Sequence, residues 1–382
     1  MSAISRSVGR VAIVHEKFTV YAGSERVVEQ LHLLWPEAPI FTTVCDPEML
    51  GPILRDADVR TSPLQKLYRG GDHYAHLLPL LPVAMRHFDL AGYDLVITSH
   101  HAFANRVRAR AGAPIVAYVH TPARWMWEPE TRRHEIGGTV GRGALGAFAA
   151  SQRGADRRAA GRLTAAVANS HSVAERIRRW WHRDASVVAP PVDTAFYTPP
   201  PGATGARGDY FLVAGRLVPY KRPELAVAAA AKAGVKLVVA GDGRARRAVE
   251  AAAGPTVEIL GRVGDEEMRD LYRNCRALLF PGEEDFGIMP VEAQACGAPV
   301  IARGVGGALD TVVPGTTGVL YAATTDTEHV ENLAGVLRSF ADDEFDRSAI
   351  RKHAERFAPA RFRDGFAAAV SKATTAEGPG AR

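Results

Sequence analysis

The chain has 382 residues, 47% of them hydrophobic and 23% charged, with 36 glycines and a formal net charge of +5. That length accommodates two domains, and no apolar run reaches the roughly 20 residues that span a bilayer, so no transmembrane helix is expected. The three cysteines, Cys45, Cys275 and Cys296, are odd in number and widely spaced, which speaks against a disulfide framework or a CxxC metal site and accords with a reducing cytosol. Residues 1–10 lack the apolar core of a signal peptide. The mild positive charge is compatible with an anionic substrate, a membrane surface or nucleic acid, and does not choose among them.

Val11–Val14 is a short apolar run that predicts a first buried strand, ending at His15-Glu16-Lys17. A helix begins near Ser24, a candidate N-cap, with Val27, Val28, Leu31 and Leu34 at helical spacing. Gly23 in the intervening loop makes either an anion-binding junction or an ordinary turn from strand to helix. Phe41–Val44 and Asp94–Thr98 predict further strands. Between them His76–Arg86 is apolar but broken by Pro79 and Pro82. It reads as a buried helical segment or as an acceptor-side or membrane-facing wall.

Ile115–Val119 predicts a strand that delivers His120-Thr121-Pro122-Ala123-Arg124-Trp125-Met126-Trp127-Glu128 at its carboxyl end, where Pro122 stops the strand. A histidine in that place is more often structural than catalytic, but an arginine and two tryptophans beside it suit sugar and phosphate contacts. Residues 139–163 predict a helix whose Arg153, Arg157, Arg158 and Arg162 make either a face for anionic lipid or a solvated one. Ala165–Ala168 is a strand, and Ser172 would cap a helix over Val173–Trp181.

Ala189–Gly205 is the stretch densest in proline and glycine and reads as a linker. Beyond it Tyr210–Ala214, Lys236–Ala240, Val257–Leu260, Ala277–Phe280 and Pro299–Ala302 predict strands with helices between them. That alternation gives an α/β chain of two Rossmann-like, doubly wound parallel-sheet domains, expected to face a cleft. Helices follow over Glu328–Phe340, Arg347–Phe357 and Ala360–Lys372, then a frayed tail.

Two loops of the second half carry chemistry. Glu284 and Glu292 have seven residues between them. Gly287 falls where loop becomes helix, and Glu292 lies about a turn inside that helix. The amides of Gly287, Ile288 and Met289 would face an anion at such a junction, while both carboxylates reach hydroxyl groups. That combination selects a polyol carrying a phosphate. A helix-start carboxylate favoured by the dipole is the plainer account of Glu292. Arg216 and Lys221 lie between the strand ending at Ala214 and a helix beginning near Pro223, placed to grip phosphate oxygens. No Asp-x-Asp closes a strand, and no His/Cys set has metal spacing, so no metal is expected.

The stretch from Glu284 to Glu292 resembles the Glu-x7-Glu motif of retaining glycosyltransferases of family 4, which have the GT-B fold. Gly215-Arg216-Leu217 with Lys221 is similar to that family's Gly-Arg-Leu-x-x-x-Lys pattern, and Ala22-Gly23-Ser24-Glu25 to its Gly-Gly-x-Glu segment with the first glycine replaced. Gly241-Asp242-Gly243 resembles its Gly-x-Gly turn, and Gly261-Arg262-Val263 its base-binding turn. Gly306-Gly307-Ala308-Leu309-Asp310 resembles a Gly-Gly-x-x-Glu segment with aspartate for glutamate. His120-Thr121-Pro122-Ala123-Arg124 is similar to the His-Thr-Pro-x-Arg signature of the branch that includes mannosyltransferases using GDP-mannose.

The resemblance implies catalytic roles for His120, Arg216, Lys221 and Glu284. It implies donor contacts for Gly23, Arg124, Gly241, Val263, Phe286, Gly287, Ile288, Met289 and Glu292. It implies an acceptor-side domain over 1–195 completed by a C-terminal helix at 359–373, a nucleotide-sugar domain over 206–356, and a tail at 374–382. The implied reaction is a metal-independent, retaining transfer of a sugar, mannose from GDP-mannose first. The implied acceptor is a hydroxyl of a glycan or lipid-linked precursor at the cytoplasmic face, with peripheral contact to anionic membrane and no nucleic-acid partner. No cofactor is expected, because the nucleotide sugar is a substrate. Alternatives are a UDP-sugar-dependent transferase acting on a small-molecule or natural-product acceptor, a non-enzymatic nucleotide-sugar-binding protein, and a nucleotide-sugar epimerase.

Overall fold

The computed structural model describes residues 9–131, 139–202 and 207–375. The first sheet contains β1 (Val11–His15), β2 (Ile40–Thr42), β3 (Val59–Thr61), β4 (Leu95–His100), β5 (Ile115–Val119), β6 (Ala165–Ala168) and β7 (Ser186–Val187). Their order is β3-β2-β1-β4-β5-β6-β7, and every neighbouring pair is parallel. The second sheet contains β8 (Tyr210–Ala214), β9 (Lys236–Ala240), β10 (Val257–Gly261), β11 (Leu278–Phe280), β12 (Val300–Arg303) and β13 (Gly318–Tyr321), ordered β10-β9-β8-β11-β12-β13 and again parallel.

Parallel strands need helical crossovers, which cover both faces of the sheet and make its central strands apolar throughout. β1 shows this by alternation. Ala12 and Val14 pack on one face with Phe41, Val96 and Ala117, while Val11 and Ile13 pack on the other with Ile40, Leu95 and Val116. The strand order reverses between β1 and β4 in the first sheet and between β8 and β11 in the second. Such a reversal leaves a crevice at the carboxyl ends of the two strands, which is where ligands of open α/β sheets bind.

The chain divides into two compact units, Met1–Pro191 with Ala360–Arg382, and Val192–Pro359. The helix Pro359–Thr375 places Phe362, Phe366 and Val370 on one stripe in the core of the first unit. Phe362 meets Tyr118 edge-on at 5.2 Å, and Phe366 meets Trp35 at 6.3 Å. Phe366→Ala is expected to cost about 3–5 kcal/mol of stability, read as a lower denaturation midpoint at unchanged slope. An unchanged midpoint would show that this stripe does not hold the unit together.

Several boundaries differ from the sequence expectation. The helix Gly23–Leu34 starts at Ala22 rather than Ser24. The Glu25 carboxylate accepts from the Ala22 N–H at 3.0 Å, and the Ser24 hydroxyl donates to the same oxygen at 2.8 Å. Ser170, not Ser172, caps the helix His171–Trp181 by accepting from the Val173 N–H at 3.1 Å. The expected linker is part of the second unit from Val192 onward. Arg351 donates to the carbonyls of Thr194 and Tyr197, and Arg273 to that of Thr198, each at 2.7 Å. Residues 203–206 of that stretch lie outside the described residues, as do 1–8 of the amino-terminal reading and 376–382 of the expected tail. Thr374 and Thr375 are helical. His76–Arg86 forms a short helix, Leu81–Arg86, after a 3-10 turn; Leu77, Leu81 and Met85 are buried while Leu80 and Val83 are exposed. The three cysteines are buried and free.

Candidate functional site

The crevice of the second sheet is built from loops that require glycine. At Gly241, φ is +152°, and a Cβ would run into the carbonyl of Gly215, so the loops after β8 and β9 lie against each other. Lys221 ends a 3-10 turn, Pro219–Lys221, and its backbone presses on Gly282 so closely that a side chain there would collide with it. That approach sets Lys221 Nζ 2.9 Å from Glu284 Oε1, with the two side chains 15% and 17% exposed. Among the described residues, the buried Glu284 Oε1 has no polar partner besides this ammonium. Arg216, exposed, lines the same cavity with Lys221, Gly282, Glu284 and Met289.

The loop that carries Glu284 is clamped from behind. The Gly307 N–H donates to the Glu284 carbonyl at 2.8 Å, and a Cβ on Gly307 would overlap the backbone of Phe286. Phe286 is buried against Phe357 at 5.6 Å between ring centres. Gly287, with φ +87°, turns the chain into the helix Ile288–Ala295, whose first-turn N–H groups have no intrahelical acceptor. Glu292 sits one turn in, buried, and accepts from the Tyr272 hydroxyl at 3.2 Å. Burial and the neighbouring Glu292 push the Tyr272 hydroxyl well above its ordinary value, which keeps it a donor. Val263 is half-buried in the loop after β10, and the Gly241 N–H donates to the Gly261 carbonyl at 2.6 Å. Asp310 lies in the short helix Ala308–Thr311.

The crevice of the first sheet holds a buried polar cluster drawn from β1, β4, β5 and the first helix. His15 Nε2 lies 3.3 Å from Glu25 Oε1, His15 Nδ1 lies 3.0 Å from Ser99 Oγ, and Ser99 Oγ lies 2.8 Å from His120 Nε2. The His101 ring stacks on His120 at 4.3 Å and 9°. Burial opposes ionisation of Glu25, but hydrogen bonding and charge from His15, with help from His101 and Ser24, outweigh it and hold its pKa below the ordinary carboxylate value. Burial pushes His120 well down, with His101, His15 and His100 adding to the effect. Burial and His15 bring His101 down to about 3, against the pull of Glu25. Beside this cluster Glu16 Oε1 accepts from the backbone N–H groups of Ala102, Phe103 and Ala104 at 2.6–2.8 Å, which fixes the turn after β4. Gly23 is the first residue of the adjoining helix.

His120 therefore lies among polar groups that the linear sequence does not single out: His15, Ser99 and His101. The available signal was a pair of histidines, His100-His101, closing an apolar strand beside β1. The two tryptophans after His120 are packed against other rings of the first unit. Trp125 stacks on Phe148 at 6.0 Å, Trp127 on Trp180 at 5.9 Å, and the Trp127 indole donates to Asp156 at 3.0 Å. Arg124 pairs with Glu128 at 2.8 Å. Arg153 and Arg157 of the helix Thr139–Gly161 lie over the Trp127 ring and donate to the carbonyls of Met126 and Trp180, so these two cations already have partners within the first unit. Among the described residues no His, Cys, Asp and Glu group is placed to hold a metal ion, and no helix is long and apolar enough to cross a membrane.

Residues 21–196 match the family model described as Glycosyltransferase Family 4, and residues 203–357 match that described as Glycosyl transferases group 1. Two Rossmann-like parallel-sheet domains with these matches define the GT-B class. Each domain thus matches a glycosyltransferase family model, the first that of family 4 and the second that of group 1. It is similar to the D-inositol 3-phosphate glycosyltransferase of Mycolicibacterium paratuberculosis, with 34% identity over 195 residues, 45% of this chain and 44% of that one. Its likeness to the same-named protein of Mycolicibacterium smegmatis is 32% over 209 residues, 49% of this chain and 47% of that one. The matches thus span less than half the length of these curated relatives. Among solved structures, Anabaena HepE in complex with UDP and glucose superposes with a TM-score of 0.66 at 17% identity, over 95% of this chain and 99% of that one. Sucrose-phosphate synthase from Thermosynechococcus elongatus superposes with a TM-score of 0.70 at 17% identity, over 96% and 100%. At such identities the likeness establishes the fold.

Proposed function

We propose that the chain transfers a sugar from a nucleotide diphosphate sugar to an acceptor hydroxyl with retention at the anomeric carbon. The observation that carries this reading is the buried Glu284 Oε1, whose one polar partner among the described residues is the Lys221 ammonium, in a crevice next to a helix N-terminus. A sugar hydroxyl supplies a further donor, which a carboxylate oxygen has the lone pairs to accept. Lys221, Arg216 and the N–H groups of Ile288 and Met289 meet the charge that grows on the diphosphate as the bond from its oxygen to the anomeric carbon breaks. The acceptor oxygen bonds to that carbon on the same face, and its proton passes to the departing diphosphate oxygen. The protein's part is positioning and electrostatics, with no metal in the reaction.

GDP-mannose is the first donor to test, on the strength of His120-Thr121-Pro122-Ala123-Arg124, and a lipid-linked glycan at the inner membrane face the first acceptor. A second reading is favoured by the relatives named as D-inositol 3-phosphate glycosyltransferases and by the HepE complexes with UDP and UDP-glucose. It takes a UDP-sugar as donor and a phosphorylated polyol as acceptor. A panel of nucleotide sugars screened by thermal denaturation separates the two. A donor at one hundred times its Kd adds about 2.7 kcal/mol, a rise of roughly 5–10 °C in Tm. Transfer with that donor should survive exhaustive EDTA treatment. A panel in which no nucleotide sugar raises Tm would overturn the reading, and loss of transfer that Mg²⁺ or Mn²⁺ restores would overturn the metal-independent mechanism.

A further inference from the structure

The cluster in the first unit is a chain of proton positions with one fixed end. Glu25 Oε2 accepts from the Ala22 N–H at 3.0 Å and the Ser24 O–H at 2.8 Å, contacts that suit a carboxylate. Its other oxygen faces His15 Nε2 at 3.3 Å, so His15 Nε2 carries a proton and donates. If Nε2 carries the only proton of the His15 ring, Nδ1 has the lone pair and accepts from the Ser99 hydroxyl. Ser99 Oγ, having given its proton to His15, accepts from His120 Nε2. His120 is thereby left with a lone pair on Nδ1, which makes no hydrogen bond among the described residues. Stacking on His101 and edge contact with Tyr118, 5.2 Å between centres, hold the ring plane.

We propose that Glu25, His15 and Ser99 are positioning residues that lock His120 as the Nε2–H tautomer, so that its Nδ1 is presented to ligand as a hydrogen-bond acceptor. Every link is buried: His15 and Ser99 are 0% exposed, Glu25 2% and His120 8%. Water therefore cannot substitute for a missing partner without a penalty. On the sugar-transfer reading above, on which this last step rests, His120 Nδ1 accepts from a hydroxyl of the substrate. It discriminates against a sugar that bears a carboxylate at the same place, since a carboxylate has no proton to donate.

The relay makes a prediction that a merely structural cluster does not. In Glu25→Gln the amide oxygen is held by the Ala22 N–H and Ser24 O–H, which turns the amide NH2 toward His15 Nε2. His15 must then accept at Nε2 and donate from Nδ1. Ser99 accepts from His15 and donates to His120 Nε2, and the His120 proton moves to Nδ1. The test is long-range ¹H–¹⁵N correlation of histidine-labelled full-length protein at neutral pH, with the His120 signals identified by their loss in His120→Gln. The expected result is an Nε2–H tautomer at His15 and His120 in the wild type, inversion at both in E25Q, and inversion at His15 alone in E25Q/S99A. Should E25Q not fold, Ser99→Ala decides. The protected Nε2–H proton signal of His120 should vanish in S99A and persist in Ser99→Thr. An Nδ1–H tautomer in the wild type, an unchanged His120 in folded E25Q, or a signal that survives in S99A overturns the relay. These spectra read protons and not sugar transfer. A chain that shows the relay and moves no sugar therefore overturns the proposed reaction and leaves the relay standing.

Discussion

Lys221→Ala is expected to lower kcat by about 10²–10³ while the protein stays folded, as removal of one preorganised charge at a leaving group does. The geometry sets that size. Lys221 is only 15% exposed, and its ammonium is held by a turn whose backbone rests on Gly282, so it does not reorganise when charge develops beside it. Arg216→Ala should cost less, because Arg216 is exposed and its field is screened by water and salt. Lys221→Arg should not restore full activity, since a planar guanidinium cannot occupy the position of a compact ammonium beside Glu284. K221A should also lose some stability, because it leaves the Glu284 carboxylate, 17% exposed, without its cation, so turnover is compared well below the variant's own denaturation midpoint. The measurement is single-turnover transfer with the donor found by thermal screening, alongside a denaturation midpoint. Turnover at the wild-type rate in a folded K221A would remove Lys221 from the reaction.

The second unit was the more legible half of the site because its parts are contiguous in sequence. Gly215–Lys221 and Glu284–Glu292 each follow one strand, so spacing along the chain translates directly into place at the sheet's edge. Strands such as Tyr210–Ala214 and Ile115–Val119 were read to the residue, because burial on both faces writes an unbroken apolar run. Three of the four edge strands left no such mark. Val59-Arg60-Thr61 is half-exposed, Ser186-Val187 is two residues long, and Gly318–Tyr321 begins with glycine. The first-unit cluster was illegible for a different reason. His15 and Ser99 are 84 residues apart and meet only because β1 pairs with β4. The caps failed through competition. Ser24 and Ser172 are good N-cap types, but the Glu25 carboxylate already satisfies the Ala22 N–H, and Ser170 lies nearer the end of β6. Aromatic rings beside a strand end suit a sugar and a core equally well, so the packing of Trp127 on Trp180 and its hydrogen bond to Asp156 were not legible in the sequence.

Asp156→Ala should destabilise the first unit by about 3–5 kcal/mol, which lowers Tm by roughly 6–20 °C. Asp156 is 2% exposed in the middle of the helix Thr139–Gly161. One carboxylate oxygen accepts from the indole N–H groups of Trp127 at 3.0 Å and Trp181 at 2.7 Å. The other lies 3.9 Å from the guanidinium of Arg106, which is 1% exposed and whose Nε and Nη1 have no hydrogen-bond partner among the described residues. Truncation therefore leaves two indole donors and one buried cation uncompensated at once, which is the costly way to break such a group. Asp156→Asn separates the two losses. Its side-chain oxygen still accepts from the tryptophans, so only the charge opposite Arg106 is lost, and D156N should retain more stability than D156A. Burial raises the Asp156 pKa against the opposing pull of Trp181, Arg106 and Trp127. The folded state therefore holds the Asp156 proton more tightly than the unfolded chain does. It follows that the wild type should lose stability relative to D156N as pH rises from the ordinary carboxylate value through the raised one. A D156A protein that melts within about 2 °C of the wild type would show that the tryptophans are held by packing alone.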